Sequence, residues 1–241
     1  MHFRLLSYNI HKGIGGVDRR HKLDRIIETV NYYAPDIAVL QEVDEGVPRT
    51  KQERQAEVLS GETGLEHFAY QRNVSLKVGH YGNAILSRWP LHETSSVDLS
   101  IRLKKRRGAM VASCRIPGRS ETHRVVLANI HLGLSGLERR MQLRRLLAAE
   151  CMVHVRRTTP LVIAGDYNDV WSSLGWLVMR KEGFVAAGKR IRTFPAAMPL
   201  RALDRVFYRG EIRALHTFAG HTETARRASD HLPLVVDFEL T

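Results

Sequence analysis

The sequence predicts an α/β chain, with mixed or antiparallel β-sheets and helices outside them. Three observations carry that prediction. Short strand-like runs rich in Val, Ile and Leu recur along all 241 residues. Helical patterns lie between only some of them. Many of the remaining connections are too short for the helical crossover that a parallel pair requires, so the strands cannot all be parallel. No linker, internal repeat or sharp change of composition divides residues 1–241, which therefore read as one domain with ample length for a core.

The elements follow in order. FRLLSYNI is the first strand. Leu23, Ile26, Ile27, Val30 and Tyr33 keep helical spacing, and Pro35 stops that helix. DIAVLQEV, NAILSR, AMVASCRI and RVVLANIHL read as strands. Ser135-Gly136-Leu137-Glu138 has the form of a capping box opening a long helix. Leu143, Leu146, Leu147 and Cys151 are expected on its core side, and Arg139, Arg140, Arg144 and Arg145 largely towards water. PLVIAGDY is a strand, residues 172–182 suggest a shorter helix ended by Gly183, and LDRVFYR and LPLVVDFEL complete the set.

Composition narrows the functional classes. Hydrophobic residues make up 44%, ordinary for a soluble globular protein, and no apolar run approaches the length of a membrane span. MHFRLLSYNI lacks the apolar region and cleavage site of a signal peptide, so a cytoplasmic location is expected. Cys114 and Cys151 suggest buried free thiols, since neither fits a disulfide framework or a CxxC metal site. Lys and Arg total 37 against 25 Asp and Glu, a formal charge of +12. Such a field favours polyanionic partners: nucleic acid, an anionic lipid surface or phosphorylated metabolites.

Polar residues gather where strands end. Asn9 closes the first strand, Glu42 the second, His131 closes ANIHLG, and Asp166 and Asn168 close LVIAGDYND; Asp204 opens LDRVFYR, and Asp230 and His231 precede the last strand. A lone polar residue at a strand end is usually a turn or cap residue. Six such ends together point to a site. A hard divalent cation takes oxygen ligands, and Glu42, Asp230 and the Asn9 amide could supply them. A phosphoryl centre needs donors for its growing charge, a role for Asn168 and one of the histidines. A water nucleophile needs a base, for which Asp166 or a His–Asp pair is suited. Asp166 and His231 are expected to face a solvent-filled site.

In this order and spacing, QEVD, YGNAILSR, NIHLG, GDYND, LDRVF and SDH resemble the signatures of the endonuclease/exonuclease/phosphatase (DNase I-like) superfamily, over nearly the whole chain and closest to its small bacterial members. The resemblance implies a four-layer α/β/β/α sandwich and water-driven hydrolysis of a phosphoester at one metal-dependent site. It implies Mg²⁺, with Mn²⁺ as a substitute, on Glu42 with Asn9 and Asp230 near the ion. It further implies that Asp166 activates or orients the water and Asn168 donates to the phosphate. His231, oriented by Asp204, would contact the scissile phosphate, and His131 corresponds to the second histidine of DNase I-like members. The stretch His80-Tyr81-Gly82-Asn83 lacks the carboxylate that pairs with that histidine in those members. His131 is therefore expected to bind phosphate, or to protonate the leaving group without such a partner.

Other motifs fail on their particulars. The near P-loop at 183–189 is followed by Arg190 where Ser or Thr is needed, and it follows a helical segment. No GNH[DE] segment supports a two-metal phosphatase of the calcineurin type, no HExxH or HxH pair a zinc hydrolase, and no GxSxG a serine hydrolase. A non-catalytic nucleic-acid-binding protein would be expected to lack one or more of Glu42, Asp166, Asn168 and His231, and all four are present. The expectation is a phosphodiesterase acting on nucleic acid, with a phospholipid headgroup or a sugar or inositol phosphate as the rival substrate. Lys104-Lys105-Arg106-Arg107, expected on a loop between strands, is the candidate contact to a polyanion beside the scissile bond.

Overall fold

Strands whose every residue is apolar need cover on both faces. That requirement organises the molecule. The structure, a computed structural model, describes residues 1–118, 121–171, 173–174 and 178–241. Twelve strands are described: β1 (His2–Asn9), β2 (Ile37–Glu45), β3 (His67–Ser75), β4 (His80–Ser87), β5 (Leu91–Asp98), β6 (Gly108–Pro117), β7 (Thr122–His131), β8 (Leu161–Asp166), β9 (Val185–Ala186), β10 (Asp204–Arg209), β11 (Ile212–Ala219) and β12 (Leu234–Leu240). The described α-helices are α1 (Leu23–Tyr33), α2 (Gln55–Thr63), α3 (Gly136–Leu147), α4 (Glu150–Val153) and α5 (Glu223–Ala228).

The strands form two six-stranded sheets, in the orders β11-β12-β1-β2-β4-β3 and β5-β6-β7-β8-β10-β9. Both are mixed. β1 and β2 pair in parallel in one sheet, β7 and β8 in the other, and the remaining pairs are antiparallel. The two orders share one plan, with a single crossover unit at the centre of each sheet: β1-α1-β2 in one, and β7-α3-α4-β8 in the other. This topological repeat is absent from the sequence.

Leu5, Val39, Ile85, Met110, Leu127, Val162 and Phe238 meet between the sheets. Their chain neighbours turn outward: Leu6, Ala38 and Leu40 pack with Ile26, Val30 and Leu59 of the helices on one side, and Val126, Ala128 and Ile163 pack with Leu143 and Leu146 on the other. Helix, sheet, sheet and helix thus form the four layers expected.

The cap expected at Ser135 is present: its Oγ accepts the Glu138 N–H at 3.2 Å. The reciprocal half of the box is missing, because Gln142 Nε2 donates to the Glu138 carboxylate instead. Cys151 lies beyond α3 on α4. Arg139 is buried, correcting its expected exposure; it donates to the Leu134 carbonyl and lies 3.8 Å from Asp169. The helix expected over 172–182 falls partly outside the described residues; its described end is a 3₁₀ turn at Met179–Glu182, closed by Gly183 with φ +78°. The runs at 67–75, 91–98 and 212–219, absent from the expected strands, lie at or near sheet edges and carry half-exposed polar residues. Cys114 is buried and Cys151 half-buried, both as free thiols. Among the described residues no helix is long and apolar enough to cross a membrane.

Candidate active site

Parallel strands bring their carboxyl ends to one edge, and ligands in α/β folds gather there. Asn9, His131 and Asp166 are the last residues of β1, β7 and β8, and Glu42 lies near the end of β2. Antiparallel partners add their first residues. Asp204 opens β10 directly opposite Asp166, and Asp230 and His231 sit four and three residues before β12.

Local backbone features aim these side chains. The β2–β4 register shifts between Gln41 and Val43, which makes Glu42 the bulged residue, with φ +57°. A bulge redirects a side chain that regular pleating would turn elsewhere. Gly165 has φ +143°, and a Cβ there would lie 1.9 Å from the Ile130 carbonyl oxygen. Glycine is therefore required for β7 and β8 to deliver His131 and Asp166 side by side. Asn168 has φ +50°, a region asparagine tolerates.

Asp166, 2% exposed, is the hub. Its Oδ2 accepts from Asn9 Nδ2 at 3.1 Å, with His131 Nε2 at 3.5 Å and His231 Nε2 at 3.8 Å from the same oxygen. Its Oδ1 accepts the Asn168 N–H at 2.9 Å. One amide hydrogen of Asn168 goes to the Leu132 carbonyl at 3.0 Å, which leaves the other for a ligand. On its far side, His231 Nδ1 meets Asp204 Oδ2 at 2.8 Å, and Thr193 donates to that oxygen. Ser229 Oγ donates to the Asn9 carbonyl at 2.7 Å and accepts the His231 N–H at 3.2 Å, locking the SDH turn to β1. Both Asp166 and His231 are buried, where a solvent-filled site was expected.

The two imidazoles are tuned apart. Burial, with help from the Arg107 guanidinium, lowers His131 to about 4, so it is neutral at pH 7. Burial also opposes charge on His231, but Asp204 and then Asp166 overcome it and raise the ring to about 10, so it is an imidazolium. Burial pushes the Asp166 carboxyl up, against the pull of His131 and His231. The acidic neighbour of His131 is thus Asp166 itself, although residues 80–83 carry no carboxylate.

The expected metal ligands are less closely gathered. Glu42 is ion-paired with Lys12, Asn9 bonds Asp166, and Asp230 lies 3.9 Å from His11 Nδ1. Burial works against the Glu42 carboxylate, but His131 and Lys12 outweigh it and hold the group well below the usual carboxylate range. With His131 neutral near pH 7, Lys12 carries that effect. Among the described residues, no three His, Cys, Asp or Glu side chains are arranged to hold a metal ion by themselves. The donor chemistry nonetheless fits a hard cation: an ionised carboxylate, an amide oxygen and a half-exposed second carboxylate, with water as the remaining ligand, as Mg²⁺ prefers.

Lys12, Thr193 and Ser229 were not singled out from the sequence. Lys12 stands in the SYNIHKG stretch, but its pairing with Glu42 spans 30 positions. Nothing local marks Thr193, and Ser229 stands out only as the first residue of the SDH signature.

A profile described as the Endonuclease/Exonuclease/phosphatase family matches residues 6–231. The uncharacterized protein YbhP of Escherichia coli strain K12 is 32% identical over 253 aligned residues, covering 99% of this chain and 96% of that one. The crystal structure of an endonuclease/exonuclease/phosphatase from Beutenbergia cavernae superposes with a TM-score of 0.81 at 24% identity, covering 99% of this chain and 72% of that one. A mannosyl-6-phosphatase from Bacteroides thetaiotaomicron superposes with a TM-score of 0.73 at 15% identity, covering 99% of this chain and all of the other.

Proposed function

The chain belongs to the endonuclease/exonuclease/phosphatase family, and from that premise we propose that it is a phosphodiesterase that hydrolyses a phosphate-rich substrate by direct attack of water. The observation that carries this reading is Asp166, with a neutral and a charged imidazole beside one oxygen and a free amide hydrogen of Asn168 close by. A buried carboxyl with a raised pKa is a better base than a free one, since its proton affinity lies nearer the working pH. Asp166 takes the proton of the attacking water as its oxygen bonds to phosphorus; the bond to the leaving ester oxygen breaks, and that oxygen takes its proton from solvent. Asn168 and the His231 imidazolium donate to the phosphoryl oxygens as their charge grows. Asp204 and Thr193 hold the His231 ring in place. His131, neutral at pH 7, serves as a hydrogen-bonding partner of the phosphate and not as a general acid.

Glu42, with Asn9 and Asp230, would hold a divalent cation, Mg²⁺ first and Mn²⁺ as its substitute. When bound, that ion neutralises phosphate charge and polarises the ester. Lys12 has to release Glu42 for the carboxylate to take it. The charge of +12 supports nucleic acid as the substrate. A sugar-phosphate monoester is the second reading, favoured by the likeness to the mannosyl-6-phosphatase fold. The test is turnover of DNA, RNA, bis-p-nitrophenyl phosphate, p-nitrophenyl phosphate and phospholipid vesicles with Mg²⁺ or Mn²⁺. Diester turnover that Asp166→Asn abolishes is expected. Turnover of none of them by the metal-loaded wild type overturns the reading.

A further inference from the structure

Beside the hydrolytic centre lies a group of cations and donors that the reaction above leaves unused. The loop joining β5 to β6 turns back on itself at its end: the Arg107 carbonyl accepts the Leu99 N–H at 3.0 Å, and the Arg107 N–H reaches Ser100 Oγ at 3.3 Å. This fold-back draws the guanidinium inside, to 8% exposure, without giving it a carboxylate; its Nε is buried with no acceptor. Arg107 is near enough to the hydrolytic centre to disfavour the charged form of His131.

Tyr81 on β4 faces the same space. It is 4% exposed, and its buried hydroxyl has the Glu42 carboxylate nearby but makes no hydrogen bond of ordinary length. Two ammonium groups lie against its ring, Lys105 Nζ at 4.8 Å and Lys12 Nζ at 5.4 Å from the centroid. Of these three cations, only Lys12 has an acid partner among the described residues, Glu42. The basic run is therefore divided by the fold. Arg107 is buried, and Lys105, although exposed like Lys104 and Arg106, lays its ammonium against the Tyr81 ring at the mouth of the site.

A buried guanidinium without a counterion is unfavourable, and so is a buried phenol whose nearest acceptor, Glu42, is out of good hydrogen-bonding reach. Both are donors, and one oxyanion satisfies both. Lys105 adds a charge at the rim, and a guanidinium fork suits phosphate geometry. We propose that Arg107, Tyr81 and Lys105 form a second phosphate subsite, which holds a phosphate neighbouring the one attacked. This rests on the phosphoesterase reading and narrows it to substrates with two closely linked phosphates. Successive phosphates of a nucleic-acid strand and a small-molecule diphosphate share that chemistry.

Calorimetry in EDTA tests the subsite without turnover, using inorganic pyrophosphate and inorganic phosphate as probes. Pyrophosphate should bind wild-type protein at least about tenfold more tightly, the scale of one additional hydrogen bond to a charged group. Tyr81→Phe, which removes one hydroxyl, and Lys105→Ala should each lower that ratio. Arg107→Lys, which keeps the charge but loses the fork, should lower it too. Lys104→Ala should preserve it. Circular dichroism checks that each variant is folded. Thymidine dinucleotides with and without a 5′-phosphate then separate the sources: tighter binding of the phosphorylated form assigns the subsite to a nucleic-acid strand, and equal binding beside a pyrophosphate preference assigns it to a small diphosphate. Pyrophosphate bound no more tightly than phosphate, or an unchanged ratio in folded Tyr81→Phe and Lys105→Ala proteins, overturns the subsite. Failure of wild-type protein to hydrolyse any ester rejects the phosphoesterase reading instead and leaves this binding result standing.

Discussion

His231 and His131 share one carboxylate oxygen yet titrate in opposite directions: burial disfavours charge on both, Asp204 overcomes it behind one ring, and Arg107 adds to it near the other. The consequences for stability have definite signs. His231 is raised to about 10, so its contribution is complete below the unfolded value of about 6.5 and is lost as pH rises towards 10. His131 is lowered to about 4, so the fold favours its neutral form, and that contribution is lost as pH falls from about 6.5 towards 4. These two groups therefore favour maximal stability near pH 6.5. Thermal melts across pH 4–10 check this, and His131→Gln should flatten the acid limb. Asp166→Asn should lower turnover by about two orders of magnitude or more, the scale of a positioned acid–base group. His231→Ala should cost as much turnover and also lower the melting temperature, because it leaves Asp204 buried without its imidazolium. Initial rates paired with melting curves separate the two effects.

At the scale of elements, the two sheets are tied together just beneath the site by buried amides. Asn129 on β7 donates from Nδ2 to the carbonyls of Leu40 and Ala84 in the other sheet, each at 2.8 Å, and its Oδ1 accepts from Gln41 Nε2 at 2.8 Å. Asn83 and Gln71 make similar links to Gly108 and Ala109. Apolar residues there would leave strand carbonyls without donors. Asn129→Ala should cost about 2–4 kcal/mol through stranded partners, lowering the melting temperature by several degrees. Gly165→Ala should be worse, since its Cβ has no space beside the Ile130 carbonyl. The expected outcome is little folded protein on expression, measured as soluble yield. The bulge at Glu42 gives a further check. Glu42→Gln keeps the side chain's shape and removes its charge, so it should weaken divalent-metal affinity in a titration and lower turnover, while folding is retained.

Across the whole molecule, two crossover units point four strand ends at one opening, on a chain whose formal charge is +12. Activity should vanish on chelation and return with Mg²⁺ or Mn²⁺; full activity of metal-free protein in EDTA would contradict this. Binding of single-stranded nucleic acid should weaken with salt by about 0.7 in log–log slope per phosphate contact. Replacing Lys104, Lys105, Arg106 and Arg107 together with Ser should flatten that slope, as a binding isotherm series in NaCl will show.

The sequence by itself determined the buried strands, the two main helices and the residues that end beside the site, because each depends on local pattern: apolar runs, helical spacing and a polar residue at a strand end. The ordered motifs also identified the family. Edge strands such as β5 and β11 escaped notice, since half-exposed pairing leaves no apolar signature. Only the tertiary structure decided which polar groups meet. Asp166 became the acidic neighbour of His131, Lys12 the partner of Glu42, and Thr193 and Ser229 the supports of Asp204 and Asn9. It also buried Arg107, laid Lys105 against the Tyr81 ring and set the opposite charge states of the two histidines. Burial, Coulombic pairing and hydrogen-bond geometry depend on groups distant in the chain, and they exist only once the two sheets have packed.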